Sequence, residues 1–184
     1  MKIKNEIKNL FLQKKFLDII FLIETKFEEK SSEILNILAI SRLSHERSRE
    51  TYKQALTELE EAYLKDKNSQ DGLNALINYI NASADLDDYM GHHDTSNFSK
   101  FFLEKSVNFF KEAKNKFGYN SKLISSGIRI FKRLNQLDII LIYYKKLYDR
   151  NDLNLQTLTS WIFFNNYKTY WQQRDYNKFT KLLD

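Results

Sequence analysis

Apolar residues recur at three- and four-residue spacing along nearly the whole chain, and strict apolar–polar alternation is almost absent, which predicts helices and no sheet. Ile3, Ile7, Leu10 and Phe11 mark a first helix, and Phe16, Ile19, Ile20, Ile23 and Phe27 a second, with the turn near Lys14-Lys15. Ser31-Ser32-Glu33 supplies a hydroxyl cap for a third helix through Ile34, Leu35 and Leu38. A fourth carries Tyr52, Ala55, Leu56, Leu59, Ala62 and Tyr63, a fifth Leu73, Leu76, Ile77, Ile80 and Ala84, and a sixth Phe102, Ser106, Phe109, Phe110, Ala113 and Phe117. Gly118 fits a stop for the sixth helix and Asn120-Ser121 a cap for the seventh, through Leu123, Ile124, Gly127, Ile128, Phe131 and Leu134. The eighth holds Ile139, Ile140, Tyr143, Tyr144 and Leu147. Asp152 or Asn154 caps a ninth through Leu155, Leu158, Trp161, Ile162 and Tyr167, and a tenth runs from Arg174-Asp175 through Phe179, Leu182 and Leu183. The longest polar break, Asp85 to Ser96, reads as a surface loop inserted between two helices. About ten helices with links this short favour antiparallel neighbours, so the expected class is all-α.

Composition narrows this further. A length of 184 residues fits a single domain over 1–184. There is no cysteine, which removes disulfides, thiolate metal sites and cysteine nucleophiles, and there is no proline and only four glycines, too few for a turn-rich sheet protein. No apolar run approaches the roughly 20 residues of a membrane span, and the first residues turn polar too soon for a signal peptide, so the expected compartment is the cytoplasm with no membrane partner. The net charge of +5 is unevenly spread. Residues 31–94 carry 6 Lys/Arg against 12 Asp/Glu, whereas 95–150 carry 12 against 4, a distribution able to steer charged partners.

Paired helices raise the question of a repeat. Leu123 to Asn151 offers Gly127 where a small residue is wanted in a first helix, with Ile139 and Tyr143 at key places of a second. Leu35, Leu38 and Ala39 with Tyr52, Ala55, Leu59 and Ala62 make a second copy. Leu76 and Ile80 with Ser106, Phe110 and Ala113 make a third, and Phe16, Ile19 and Ile23 fit the second helix of an N-terminal unit. On these residues the chain resembles a tetratricopeptide array, with its unit of about 34 residues. The resemblance implies antiparallel helix pairs stacked as a right-handed α-solenoid, and a binding scaffold rather than an enzyme. The closing proline is missing, Ile139 replaces the usual alanine and the spacings are uneven, so another α-solenoid or an irregular helical bundle stays open. The stretch Phe163-Phe164-Asn165-Asn166-Tyr167 to Trp171 is weakly similar to the connector of O-GlcNAc-transferase-type glycosyltransferases, which carry such arrays ahead of a catalytic domain. The last helix has an incomplete apolar stripe, pointing to a covering partner, self-association through that helix, or a longer protein.

Candidate chemistry is sparse. The four glycines are too scattered for a phosphate loop, and no Ser or Thr has a recognisable His partner, so no catalytic residue and no cofactor are expected. His92-His93-Asp94, with Asp87 or Asp88, has metal-ligand chemistry, but adjacent histidines do not share a helix face and a solvated loop is the better reading, so no metal is expected. Asn74, Asn78 and Asn81 stand at i, i+4 and i+7, a row of amides able to grip a peptide backbone. Lys122, Ser125, Arg129 and Lys132 form a comparable row in the next pair, and Asn154 and Asn165 extend it. Amides followed by cations suit an extended acidic protein segment or a free carboxylate. The alternatives are the non-catalytic repeat region of a larger glycosyltransferase and, ranked last, a nucleic-acid-binding array that uses the basic half.

Overall fold

A computed structural model describes residues 2–91 and 97–152, together with Thr159. Among the described residues the chain is all-helical, with α1 (Lys2–Leu12), α2 (Phe16–Lys26), α3 (Ser32–His45), α4 (Arg49–Lys65), α5 (Gln70–Met90), α6 (Phe98–Phe117), α7 (Ser121–Arg133) and α8 (Leu137–Asp149). The expected ninth and tenth helices lie outside the described residues. No helix among the described residues is long and apolar enough to cross a membrane.

The ends of these helices follow from local chemistry. Ser31, Ser48, Ser69 and Asn120 each accept a hydrogen bond from the backbone N–H three residues on, at 3.0–3.4 Å, satisfying one orphan donor of α3, α4, α5 and α7. Gly118 ends α6 in the left-handed region, at φ 63°, where a Cβ is disfavoured. Lys14 and Asn135 adopt the same conformation, at φ 57° and 54°, after α1 and α7. At both places the next residue's N–H reaches back five residues, from Lys15 to Leu10 and from Gln136 to Phe131, which closes a Schellman turn.

The break expected over 85–96 is shorter than the acidic residues suggested, because α5 continues through Met90. Leu86 is fully buried, continuing the stripe of Tyr79 and Ala82, and Met90 packs on the same core. Asp87 accepts a 2.9 Å hydrogen bond from Ser99 of α6, so one of the apparent loop carboxylates has a structural partner.

The chain divides into two compact units, Met1–Ala113 and Lys114–Asp184. In the first, α1 packs on α2, α2 on α3, α4 on α5, and α3 on both α4 and α5. One core cluster joins Ile7 of α1, Ile19, Ile20 and Ile23 of α2, and Ile34 and Leu38 of α3. A second gathers Ala39, Tyr52, Ala55, Leu56, Leu59, Tyr79, Ala82, Leu86 and Phe102. Neighbouring residues Leu38 and Ala39 thus commit α3 to both clusters. Arg42 adds a polar tie, since its guanidinium meets Glu24 of α2 and, at 2.9 and 3.1 Å, both oxygens of Glu58 of α4. In the second unit α7 packs on α8, and Leu123, Ile124, Ile128, Phe131, Ile140, Tyr144 and Leu147 are buried.

Candidate functional site

The Asn row expected on the fifth helix occupies one face of α5, half-buried along its length. Asn74 accepts a 3.0 Å hydrogen bond from Gln70 one turn back. Asn78 donates a 2.8 Å bond to Oδ1 of Asn36, fastening α5 to α3. Asn78 and Asn81 then line a concavity of about 290 Å³ between the C-terminal half of α3 and α5. Ile40, Leu43 and Ala82 give it an apolar floor, while Glu46, Arg47 and Asp85 add charges of both signs beside the His45 imidazole.

The electrostatics there are local. Burial raises the Tyr52 hydroxyl above the ordinary tyrosine value; the Asp85 charge adds to this and the Arg47 charge opposes it. Both charged groups therefore act on one buried phenol. Tyr52 in turn packs on Tyr89, ring centroids 5.6 Å apart, which holds the last turn of α5 against α4. The concavity thus combines an apolar trough, side-chain amides on its wall and charges of both signs.

The second expected row lies on α7, in the other unit. Lys122 is exposed, while Ser125, Arg129 and Lys132 are half-buried. The Lys132 ammonium stands 5.5 Å from the Tyr144 ring centre. Burial, followed by the charges of Arg133 and Arg129, lowers its pKa. Of this row, Lys132 thus packs onto its own hairpin, against Tyr144 of α8. Asn154, Asn165, His92, His93 and Asp94 fall outside the described residues. Among the described residues no three His, Asp or Glu side chains cluster as a metal site would require.

Sequence reasoning missed Asn36, His45, Arg47 and Asp85. Asn36 meets Asn78 across 42 positions, a relation local periodicity does not contain, and Asp85 opens the polar stretch that reads as a loop. The one available signal was Leu86, whose spacing from Ala82 keeps Asp85 on a helix.

No protein-family model, curated protein or solved structure matches the chain.

Proposed function

We propose that this protein is a non-catalytic cytoplasmic scaffold that binds an extended protein segment in the concavity between α3 and α5. The observation that carries the reading is the Asn36–Asn78 bridge, which fixes the groove wall and sets Asn81 beside an apolar floor. A peptide there would lay its backbone against the amides and meet Arg47 with an acidic group, and Glu46 and Asp85 with hydrogen-bond donors.

The same reading makes the architecture a tetratricopeptide-like stack of helix pairs. Two features support it. First, α3 touches both its hairpin partner α4 and the first helix of the next pair, α5, as stacked pairs do. Second, the α1–α2 and α7–α8 hairpins share one turn. Lys15 and Gln136, which precede the second helices, have matching backbone angles of φ −85°, ψ 64° and φ −94°, ψ 68°. At the same offset, Ile7 and Ile19 match Ile128 and Ile140, and all four are buried.

The test is selection of displayed random peptides on the full chain, followed by affinity measurement on Asn81→Ala/Arg47→Glu and Arg129→Glu/Lys132→Glu. The expected result is at least tenfold weaker binding to the first variant, with helix content and melting temperature kept. Equal affinity for the first variant, or loss confined to the second, overturns the α3–α5 assignment.

A further inference from the structure

The second unit contains a pocket that the peptide-groove reading does not use. It has a volume of about 360 Å³ and lies among the last turn of α6, the start of α7 and the end of α8. Its lining combines three cations, Lys114, Lys146 and Arg150, with the rings of Tyr119 and Tyr143 and the side chain of Ile124.

The cations are held near the rings. Lys114 Nζ is 3.4 Å from the Tyr143 hydroxyl and 5.6 Å from that ring centre, and Lys146 Nζ is 5.7 Å from the same centre. The Arg150 guanidinium lies 4.9 Å from the Tyr119 ring centre. Phe131 stacks on Tyr143 at 5.8 Å and 17°, fixing the ring that two lysines share. Such contacts orient a cation without neutralising it.

The nearby carboxylates have other engagements. Lys145, outside the pocket lining, contacts both oxygens of Asp149 at 2.9 Å. The Tyr119 hydroxyl donates to Asp152. Among the described residues, none of Lys114, Lys146 and Arg150 forms an ion pair. The pocket therefore presents three cations against one lining carboxylate that another lysine already covers, above an apolar wall.

That combination selects a ligand with two parts. Clustered cations favour phosphate oxygens through charge-assisted hydrogen bonds, and the Ile124–tyrosine wall favours an apolar or planar body. The volume suits a small molecule. The geometry points to a site for a phosphate ester with a planar organic body, of the nucleoside diphosphate class.

The experiment is calorimetric titration of the full chain with ADP, adenosine and inorganic pyrophosphate. ADP is expected to bind at least tenfold more tightly than either fragment, and its affinity to fall as salt rises. Lys146→Glu, at an exposed position, should weaken ADP at least tenfold with the melting temperature kept, and Lys114→Ala/Lys146→Ala should weaken it further. No binding at 1 mM ADP (on the order of the weakest ordinary small-ligand affinities) overturns the proposal. So does pyrophosphate binding as tightly as ADP, unchanged affinity in Lys146→Glu, or an oligonucleotide binding tenfold more tightly than ADP through the same lysines. None of these outcomes bears on the α3–α5 groove, whose residues belong to the other unit.

Discussion

The Asn78 side-chain amide donates a 2.8 Å hydrogen bond to Oδ1 of Asn36, the next-but-one helix back in the chain. Two neutral amides satisfy each other here while both are half-buried, so removing either one leaves the other short of a partner. A typical neutral side-chain bond contributes about 1 kcal/mol. Asn36→Ala and Asn78→Ala should each lower unfolding free energy by about 1 kcal/mol, and the double variant by less than their sum. Chemical denaturation of the four proteins gives the coupling directly. Strict additivity would show that the pair does not act as a tie between α3 and α5.

Gly72 sits at the first turn of α5, where a Cβ would come within 2.0 Å of the Asp66 carbonyl oxygen. The obstacle is backbone, so no side chain can move aside to accept it. The turn from α4 is tight because Ser69 N–H bonds the Asp66 carbonyl at 3.1 Å while the Ser69 side chain caps Gly72. Gly72→Ala should therefore cost about 3 kcal/mol or more, despite alanine's better helix propensity. Gly118→Ala, where the strain is only the left-handed backbone, should cost about 1 kcal/mol. Thermal melts of the two variants that fell together would contradict this ordering.

The same two glycines show which parts of the structure are legible in sequence. Gly118 was readable as a helix stop, because a C-terminal glycine is a local signal set just before the Asn120 cap. Gly72 was not, because its requirement comes from a carbonyl six residues earlier whose direction depends on how α4 ends. Periodicity places the apolar faces of the described helices, including Leu59, Ile80 and Phe110, all fully buried. It misjudged 85–90, where Asp85, Asp87 and Asp88 look like loop residues although Leu86 and Met90 keep the helical stripe. The Asn row is readable on one helix face, whereas the Asn36–Asn78 bond and the Tyr119–Tyr143 pocket join residues from separate segments of the chain, and no local pattern encodes that.

Arg42 bridges two carboxylates, and the imbalance sets different outcomes for its partners. Burial disfavours the charged form of both Arg42 and Glu58. Two carboxylates outweigh that burial at Arg42, leaving its pKa raised; at Glu58 one guanidinium does not, and its pKa is raised as well. Arg42→Ala strands Glu58, whose side chain is only 13% exposed, and should cost about 2–4 kcal/mol, short of a fully buried pair because Glu24 is half exposed. Glu58→Gln removes the poorly solvated charge and leaves Arg42 with Glu24, so at neutral pH it should cost under about 1 kcal/mol. Denaturant midpoints at pH 7 decide; a Glu58→Gln loss equal to that of Arg42→Ala would mean that the Glu58 charge itself stabilises the fold.

Tyr63 and Tyr79 make the first unit sensitive to alkali. Both are fully buried, and Phe109 packs edge-on against the two rings at 5.3 and 5.5 Å. Burial pushes the Tyr63 hydroxyl up to about 12, helped by the Glu112 charge, and pushes Tyr79 higher still, helped by Glu60. Because the folded values lie above the unfolded value of 10, the folded state holds its phenolic protons longer. Stability from these groups is therefore intact below about pH 10 and falls as pH rises toward 12. The loss of helix above pH 10 should coincide with the absorbance rise of tyrosinate. The Tyr79 hydroxyl has no hydrogen-bond partner among the described residues, so Tyr79→Phe should be neutral or stabilising by up to about 1 kcal/mol at pH 7. It should also move the alkaline midpoint upward. A destabilised Tyr79→Phe protein with an unmoved midpoint would show that this hydroxyl is satisfied in solution and that other groups drive the alkaline transition.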